Sequence, residues 1–242
     1  MKAITESATG LAAGFACDPE NFRQALRKAL NNLADGRMVI VTTTAQDFAT
    51  GHLVMSARHV SAEAVNFMAK QGKGLVSLAL CADDVDRLGL QPMKQRGRSG
   101  FRQDPLISIE ARTGVSTGIS AADRAHTIQT AIDPRNEPAA IVSPGHVFPV
   151  RIHPGGILSL PAPAEASADL CRMIGLPSSA VLCAVLGPDG NVADLAYLAA
   201  LASAHDLAMI SVEQLSAHLR AQAPEDRSEG SYAARSTFSV VA

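Results

Sequence analysis

The sequence predicts a single α/β domain in which helices pack in layers on a sheet. Short apolar segments of strand length alternate along the chain with segments whose apolar residues recur at helical spacing, an order typical of layered α/β proteins. Of the 242 residues, 47% are hydrophobic and 18% are charged, which supports one full core and excludes the disordered class. The net charge of −2 also argues against a nucleic-acid surface.

The first half of the chain has the signals of two helices and three strands. Asp18 can cap a helix that has Pro19 at its first position and Gly36 as its stop, and Ser61 can cap a second helix that Gly72 ends. Strands are predicted at 38–41, 53–55 and 75–80. The segment 42–51 is predicted as a loop, and the charged, glycine-containing segment 81–105 as a long excursion between strands.

A strand at 106–111, a loop rich in Gly, Ser and Thr, and a helix from Ser120 follow in direct succession. The Ser120 hydroxyl can accept from the amide of Asp123 while the Asp123 carboxylate reaches back, close to the capping-box pattern. Amides at such a helix start favour an anion, so Ser116, Thr117 and Asp123 are candidate ligand-binding residues. An ordinary helix-capping loop is the other interpretation. The residues of this helix expected to face the core are Ala121, Ala125, Ile128 and Ile132.

The second half of the chain continues the alternation. Strands are predicted at 139–142, 147–152, 181–186 and 208–210. Helices are predicted at 169–174, ended by Gly175, at 195–205, and after the capping box formed by Ser211 and Gln214. The Pro-rich segment 160–164 is predicted as a loop.

One domain is therefore predicted at 18–221, between a flexible arm at 1–17 and a flexible tail at 222–242. The four cysteines have no C-x-x-C spacing, so neither a zinc site nor a redox pair is predicted. No segment approaches the roughly 20 apolar residues of a membrane span, and the first residues do not have the pattern of a signal peptide. We predict a cytoplasmic protein that binds neither membrane nor nucleic acid.

Two motifs carry a family resemblance: S-T-G-I-S-A-A-D-R-A-H-T-I at 116–128 and P-G-H-V-F-P-V at 144–150. Further segments match in the same order, including G-R-M-V-I, G-G-I-L and V-L-C-A-V-L-G-P-D-G. With these, the chain from about 20 to 220 resembles the 3,4-dihydroxy-2-butanone 4-phosphate synthases, lyases of riboflavin biosynthesis. The resemblance implies a mixed sheet with helices packed on it, a homodimer with its site near the subunit interface, and magnesium-dependent conversion of ribulose 5-phosphate to the butanone phosphate and formate.

The residues that the resemblance expects in the active site are largely different here. In place of the family's acidic loop R-E-N-E-G-D, positions 47–52 read D-F-A-T-G-H, so Phe48 stands where a magnesium ligand is expected. In place of R-x-G-H-T-E, Leu160 replaces the arginine, Pro163 the metal-binding histidine and Ala164 the threonine, while Glu165 is kept.

Two further positions differ on strands. Ala184 follows Cys183 where the resemblance implies a catalytic glutamate, and Ser77 stands in place of a site cysteine. No magnesium or other cofactor is predicted, because the expected ligand positions hold Phe48 and Pro163. Candidate acid/base residues in such a site are His52, Asp47, His146 and Glu165. For His146, a structural histidine in a turn or in the core is the other interpretation.

The remaining candidates are polar residues expected to line the pocket, namely Thr42, Thr43, Thr44, Thr50 and Ser77. A polar cleft needs partners for its buried groups, so a small polar metabolite, less anionic or without phosphate, is the predicted ligand. The leading hypothesis is a synthase-like protein with a degenerate site, acting as a repurposed enzyme or as a small-molecule-binding homologue. The alternatives are an active synthase with an unusual site and a structural partner of another riboflavin-pathway enzyme.

Overall fold

A computed structural model describes residues 19–45, 48–94 and 104–222, and these form an α/β fold around a mixed sheet. Its strands are β1 (Val39–Ala45), β2 (Phe48–Ser56), β3 (Lys73–Leu80), β4 (Asp104–Pro105), β5 (Ile109–Ala111), β6 (Ile141–Arg151), β7 (Ala180–Val185) and β8 (Ala208–Ser211). They are ordered β4-β6-β3-β7-β2-β1-β8, with β5 paired to β6. The β1–β8 and β3–β6 pairs are parallel and the others antiparallel, so the expected mixed sheet is confirmed.

Helices cover both faces of this sheet. They are α1 (Pro19–Ala34), α2 (Ala62–Phe67), α3 (Ala82–Arg87), α4 (Ala121–Ile132), α5 (Gly156–Ser159), α6 (Pro163–Met173), α7 (Leu195–Ala204) and α8 (Val212–Gln222). One apolar cluster joins α2, α4 and α7 to the sheet, and a second joins α1, α6 and α8 to the opposite face. Neighbouring residues of a strand enter different clusters, as Leu53 and Val54 of β2 do, because strand side chains alternate between faces.

The helix caps form largely as predicted. The hydroxyl of Ser61 accepts from the amide of Ala64 at 3.2 Å, and that of Ser120 accepts from the amide of Asp123 at 3.0 Å. The Asp123 carboxylate accepts from the amides of Thr117 and Gly118 in the preceding loop. In the predicted capping box, the Asp123 carboxylate would reach back to the start of the helix. It bonds instead to the amides of the preceding loop and fixes the shape of that loop.

The loop predicted at 42–51 was wrong. The described residues of this segment continue both strands of a hairpin, in which Thr43 pairs with Thr50. Threonine is β-branched and suits a pleated strand even where the side chain is polar. The segment 81–105 contains α3, whose Val85 is buried, and the short strand β4.

Two other boundaries also differ from the prediction. The strands predicted at 139–142 and 147–152 are one strand, β6, which runs through Pro144 and Gly145. The helix predicted to start at Asp169 starts at Pro163, a residue that suits the first turn because its missing N–H is not needed there. Proline was thus a start signal rather than a loop signal.

Several predictions lie outside the described residues, among them the arm at 1–17, nearly all of the tail at 222–242, the cap Asp18 and the candidate Asp47. Within the three described ranges, no helix has the length and apolar character needed to cross a membrane.

Candidate functional site

The candidate site is a cavity on the sheet face that α1, α6 and α8 cover. Register fixes its floor: His52 of β2 lies opposite Ala184 of β7, and Ser77 of β3 lies opposite Leu182 of β7. Directly paired residues, and residues two apart on one strand, project to the same face. The sheet therefore brings three strands' side chains to one surface.

The cavity has a volume of about 820 Å³ and its lining includes five positions singled out by the family resemblance, namely His52, Ser77, Pro163, Ala164 and Ala184. Pro163 and Ala164 belong to the first turn of α6, which borders the sheet floor. Residues far apart in the chain thus meet at one place, and that place has the size of an ordinary small-molecule pocket.

Most of the lining formed by described residues is apolar, which differs from the polar pocket expected from the sequence. The contributing side chains include Leu75, Phe148, Pro149, Val150, Leu182 and Leu186. These residues could not be recognised from the sequence, because they appear as ordinary strand residues until the strands are placed side by side. Leu75 is 65% exposed within β3 although it is a large apolar residue, and this exposure also becomes visible only in the folded chain.

His52 is the titratable group on the cavity floor. Its Nδ1 is buried and has no hydrogen-bond partner among the described residues. Burial lowers the pKa of His52 to about 4, so the imidazole is neutral near pH 7. A neutral imidazole with an unused ring nitrogen can exchange a hydrogen bond with a ligand, but it is a poor proton carrier at that pH.

The described part of the cavity lining does not suit magnesium. Magnesium requires several oxygen ligands, usually with at least one carboxylate, and the described lining offers the hydroxyl of Ser77 and the ring of His52. No group of three or more His, Cys, Asp or Glu side chains within 19–45, 48–94 and 104–222 is arranged to hold a metal. No chemical step is therefore assigned to a metal here.

The threonines predicted to line the pocket have other partners. The Thr42 hydroxyl donates to the backbone oxygen of Ile210 at 3.5 Å. The Thr43 hydroxyl and the Thr44 amide both donate to Oε1 of Glu213, at 2.8 Å each. Thr50 lies opposite Thr43 in the hairpin. Of the predicted polar set, His52 and Ser77 line the cavity.

Glu213 is held as an anion by these contacts. Burial raises its pKa, but hydrogen bonds from Ser211, Thr44 and Thr43 outweigh that effect and leave the pKa below its ordinary value. Glu213 thus ties the β1–β2 hairpin to the start of α8.

Glu165 lies in the first turn of α6 and is completely buried. Its Oε1 accepts from the amide of His153 at 3.0 Å. A second acid of the same helix, Asp169, accepts from the amide of Ile157 at 2.9 Å and pairs with Arg172. Both carboxylates hold the turn before α6, and the cavity lining does not include Glu165.

The loop before α4 is organised by Asp123, which is 7% exposed. Its carboxylate accepts from the amides of Ser116, Thr117 and Gly118 at 2.9–3.2 Å, and from the Ser116 hydroxyl at 2.9 Å. Burial raises the pKa of Asp123, and these hydrogen bonds more than reverse the shift, so the pKa is lowered. The amides of this loop thus already bond to an anion, the carboxylate of Asp123, while an anion at the first-turn amides of α4 stays a prediction.

His146 lies beside this loop rather than in the cavity. Its Nδ1 is 2.7 Å from Oε2 of Glu110, and the Glu110 carboxylate packs so closely on Gly118 that a Cβ there would overlap it. The His146 side chain is 43% exposed. The structure therefore divides the predicted site residues into two groups, one in the cavity and one around the Asp123 loop.

Comparison with known proteins agrees with this fold. A family model described as 3,4-dihydroxy-2-butanone 4-phosphate synthase matches residues 27–218. A protein of that name from Neisseria meningitidis serogroup A is 41% identical over 186 residues, which are 77% of this chain and 51% of the relative. The chain thus spans about half the length of such curated relatives.

Two solved structures are similar as well. A two-domain synthase from A. baumannii has a TM-score of 0.77 and 36% identity, over 83% of this chain and 59% of that one. A synthase in complex with two magnesium ions has a TM-score of 0.73 and 25% identity, over 81% of this chain and 96% of that one. With the family model covering most of its length and the same fold in both structures, this chain belongs to the 3,4-dihydroxy-2-butanone 4-phosphate synthase family.

Proposed function

We propose that this chain is a member of the synthase family that does not convert ribulose 5-phosphate and instead uses the same cavity to bind another small molecule. One observation carries the proposal. Five positions where the family resemblance implies a metal ligand, an acid/base group or another site residue line one cavity, and they are occupied by His52, Ser77, Pro163, Ala164 and Ala184.

The parent reaction needs carboxylates to move protons, a divalent ion to polarise adjacent oxygens, and groups that hold a phosphate. Proline and alanine side chains supply none of these. Removing one catalytic group commonly reduces a rate by orders of magnitude, and removal of several that act as a unit leaves little beyond binding. We therefore expect binding to outlast the parent chemistry.

Whether the bound molecule is also transformed depends on His52. A neutral histidine in an apolar pocket can orient a ligand through a hydrogen bond. It can accept a proton from the ligand only if that proton transfer is strongly favoured. Non-catalytic binding is thus the simpler function, and a reaction that uses His52 would be seen as turnover that His52→Ala abolishes.

The test is release of formate from ribulose 5-phosphate with magnesium by the purified chain, with the synthase from Neisseria meningitidis beside it. We expect a rate at least about 1,000-fold below that of the relative. A rate within tenfold would contradict the proposal and favour the alternative, an active synthase with an unusual site.

A gain-of-function variant sharpens this test. Formate release should rise above that of the parent chain when the family's expected residues are restored. The variant combines four changes at the cavity with three nearby, namely His52→Asp, Pro163→His, Ala164→Thr and Ala184→Glu with Phe48→Glu, Thr50→Glu and Leu160→Arg. The matched control is a variant of equal charge change on the exposed surface, with Gln24→Glu, Gln91→Glu and Ala196→Glu, which should not.

The resemblance also supports a homodimer. Light scattering coupled to size exclusion would give a mass near twice 25.2 kDa if the chain pairs with a second copy, and near 25.2 kDa if it does not.

A further inference from the structure

We propose that the cavity takes an uncharged ligand with a mainly apolar body and one hydrogen-bonding group, which pairs with Nδ1 of His52. This inference rests on the proposed function, because it assumes that the cavity is still a binding site. It goes further by naming the chemical class of the ligand, which differs from a sugar phosphate.

The first argument is the surface that a ligand would meet. The floor is formed by Leu182, Ala184, Phe148 and Val150, beside the turn at Pro163. The hydroxyls of a sugar phosphate would lose their water against such a surface without finding partners, which is unfavourable. An apolar ring or aliphatic body would instead gain from burial.

The second argument concerns the mouth of the cavity. Leu75 and Met93 line it and are 65% and 41% exposed. Large apolar side chains exposed together at the rim of a concave site are typical of binding surfaces. Leu75 and Met93 would contact the part of a bound ligand that reaches from the floor to the mouth of the cavity.

The third argument is the unused nitrogen of His52. Nδ1 is buried, and no described residue bonds to it. An unsatisfied buried polar atom is unfavourable, so a ligand group that bonds to it gains more than it would on an open surface. Because a ring nitrogen can serve as donor or acceptor, one uncharged hydrogen-bonding group on the ligand is sufficient to satisfy it.

The fourth argument concerns Lys73, a cation of the described cavity lining. Lys73 Nζ donates to the backbone oxygen of Gly187 at 3.3 Å and lies 5.8 Å from the centroid of the Tyr197 ring. It is therefore directed to the β7 end and does not form a phosphate clamp. Lys94, also in the lining, is exposed.

The test uses two probes of nearly equal shape. N-phenyl-1-naphthylamine has two aromatic groups joined by one N–H, and 1-benzylnaphthalene has a methylene in its place. We expect the purified full-length chain to bind the amine at one site with a Kd of about 10 μM or tighter, followed by its fluorescence. Competition by 1-benzylnaphthalene should be about fivefold to tenfold weaker, the value of one hydrogen bond.

His52→Leu isolates the histidine. This variant keeps an apolar side chain at the position and should bind the two probes equally well. The inference fails if His52→Leu still binds the amine more tightly than 1-benzylnaphthalene. It also fails if the parent chain binds the two probes equally well, because His52 would then form no hydrogen bond with the amine.

Ala184→Glu tests the apolar floor, because it places a carboxylate opposite His52. It should weaken binding of the amine at least tenfold, while Ile119→Glu, at an exposed apolar residue outside the cavity lining, should leave it unchanged. Leu75→Glu, at the exposed mouth, gives the same test should Ala184→Glu not fold.

Several outcomes would overturn the inference. Failure of the parent chain to bind either probe would show that the apolar lining is not a ligand site, and a mass that falls to the monomer on Leu75→Glu would indicate that a second copy covers it. Tight binding of ribulose 5-phosphate with no probe binding would show a polar ligand. Formate release, measured separately, reports failure of the proposed function itself.

Discussion

The cavity around His52 and the loop around Asp123 each contain a polar side chain with buried atoms, and the partners of those atoms differ. Asp123 accepts four hydrogen bonds from Ser116, Thr117 and Gly118. Nδ1 of His52 has none from the described residues. The hydrogen-bonding groups of the loop thus bond to each other, whereas the cavity contains a ring nitrogen that is available to a ligand.

This difference separates two kinds of sequence resemblance. The motif at 116–128 matches the family closely, and its best-placed carboxylate supports the fold of the loop. The cavity positions hold residues other than those that the family resemblance leads us to expect, and under the proposed function they are the ones that a ligand would touch. A preserved motif is therefore compatible with an unchanged scaffold and a changed ligand.

The largest effect expected is from Asp123→Ala. It leaves three backbone amides and a hydroxyl without their acceptor, so the melting temperature should fall by about 10 °C. Circular dichroism on heating measures it. Asp86→Ala, which removes an exposed ion pair with Arg151, is the control and should change the melting temperature by no more than about 2 °C. Equal effects would refute the structural role of Asp123.

A second prediction concerns acid. The folded pKa of His52 is about 4, below the ordinary value of 6.5, so only the unfolded state takes up the proton between these values. Its contribution to stability is full above pH 6.5 and is lost as the pH falls toward 4. Between those pH values the parent chain should lose about 2 kcal/mol more unfolding free energy than His52→Leu does.

Urea unfolding at a series of pH values between 4 and 7 measures this difference. Ser77→Ala, a change at a non-titrating neighbour in the cavity, should follow the pH dependence of the parent chain. Parallel curves for the parent and His52→Leu would mean that the histidine is not buried neutral.

A smaller, local effect is expected at the hairpin. Glu213→Gln weakens the acceptor of the Thr44 amide and the Thr43 hydroxyl, so hydrogen exchange at Thr44 should become about tenfold faster near pH 7. Because the pKa of Glu213 is lowered, the parent chain should retain this protection down to a pH below 4.5. Glu63→Gln serves as the control and should leave exchange at Thr44 unchanged. If Glu213→Gln also leaves exchange at Thr44 unchanged, Glu213 does not hold the hairpin to α8.

The smallest effect is expected at His146. Its partly exposed pair with Glu110 resembles surface ion pairs, which contribute little. His146→Ala should therefore change the melting temperature by less than about 3 °C, against the large change at the neighbouring Asp123. A drop as large as that of Asp123→Ala would place His146 in the support of the loop.

Sequence patterns were sufficient for the parts of this protein that depend on neighbours in the chain. The caps at Ser61 and Ser120 could be predicted because a cap joins residues two or three positions apart. The inward residues Ala125 and Ile128 could be predicted because helical spacing alone assigns them a face. The layered α/β class followed from the alternation of such segments.

The site could be predicted only in part. His52 and Ser77 were identified through the family resemblance, and both line the cavity. The threonines at 42–44 were predicted with them because they adjoin in sequence, yet a strand directs successive side chains to opposite faces. Glu213, 169 positions beyond Thr44, accepts from the Thr43 hydroxyl and from the Thr44 amide instead.

The family resemblance, the layered class, the helix caps and the residue types at each expected catalytic position could all be established from the sequence. The folded chain was needed to show that five of those positions meet in one apolar cavity, that Asp123 accepts the hydrogen bonds of its own loop, and that Nδ1 of His52 has no described partner. Burial and hydrogen bonding depend on cross-strand pairs such as His52 with Ala184, because residues far apart in the chain are brought together by sheet register.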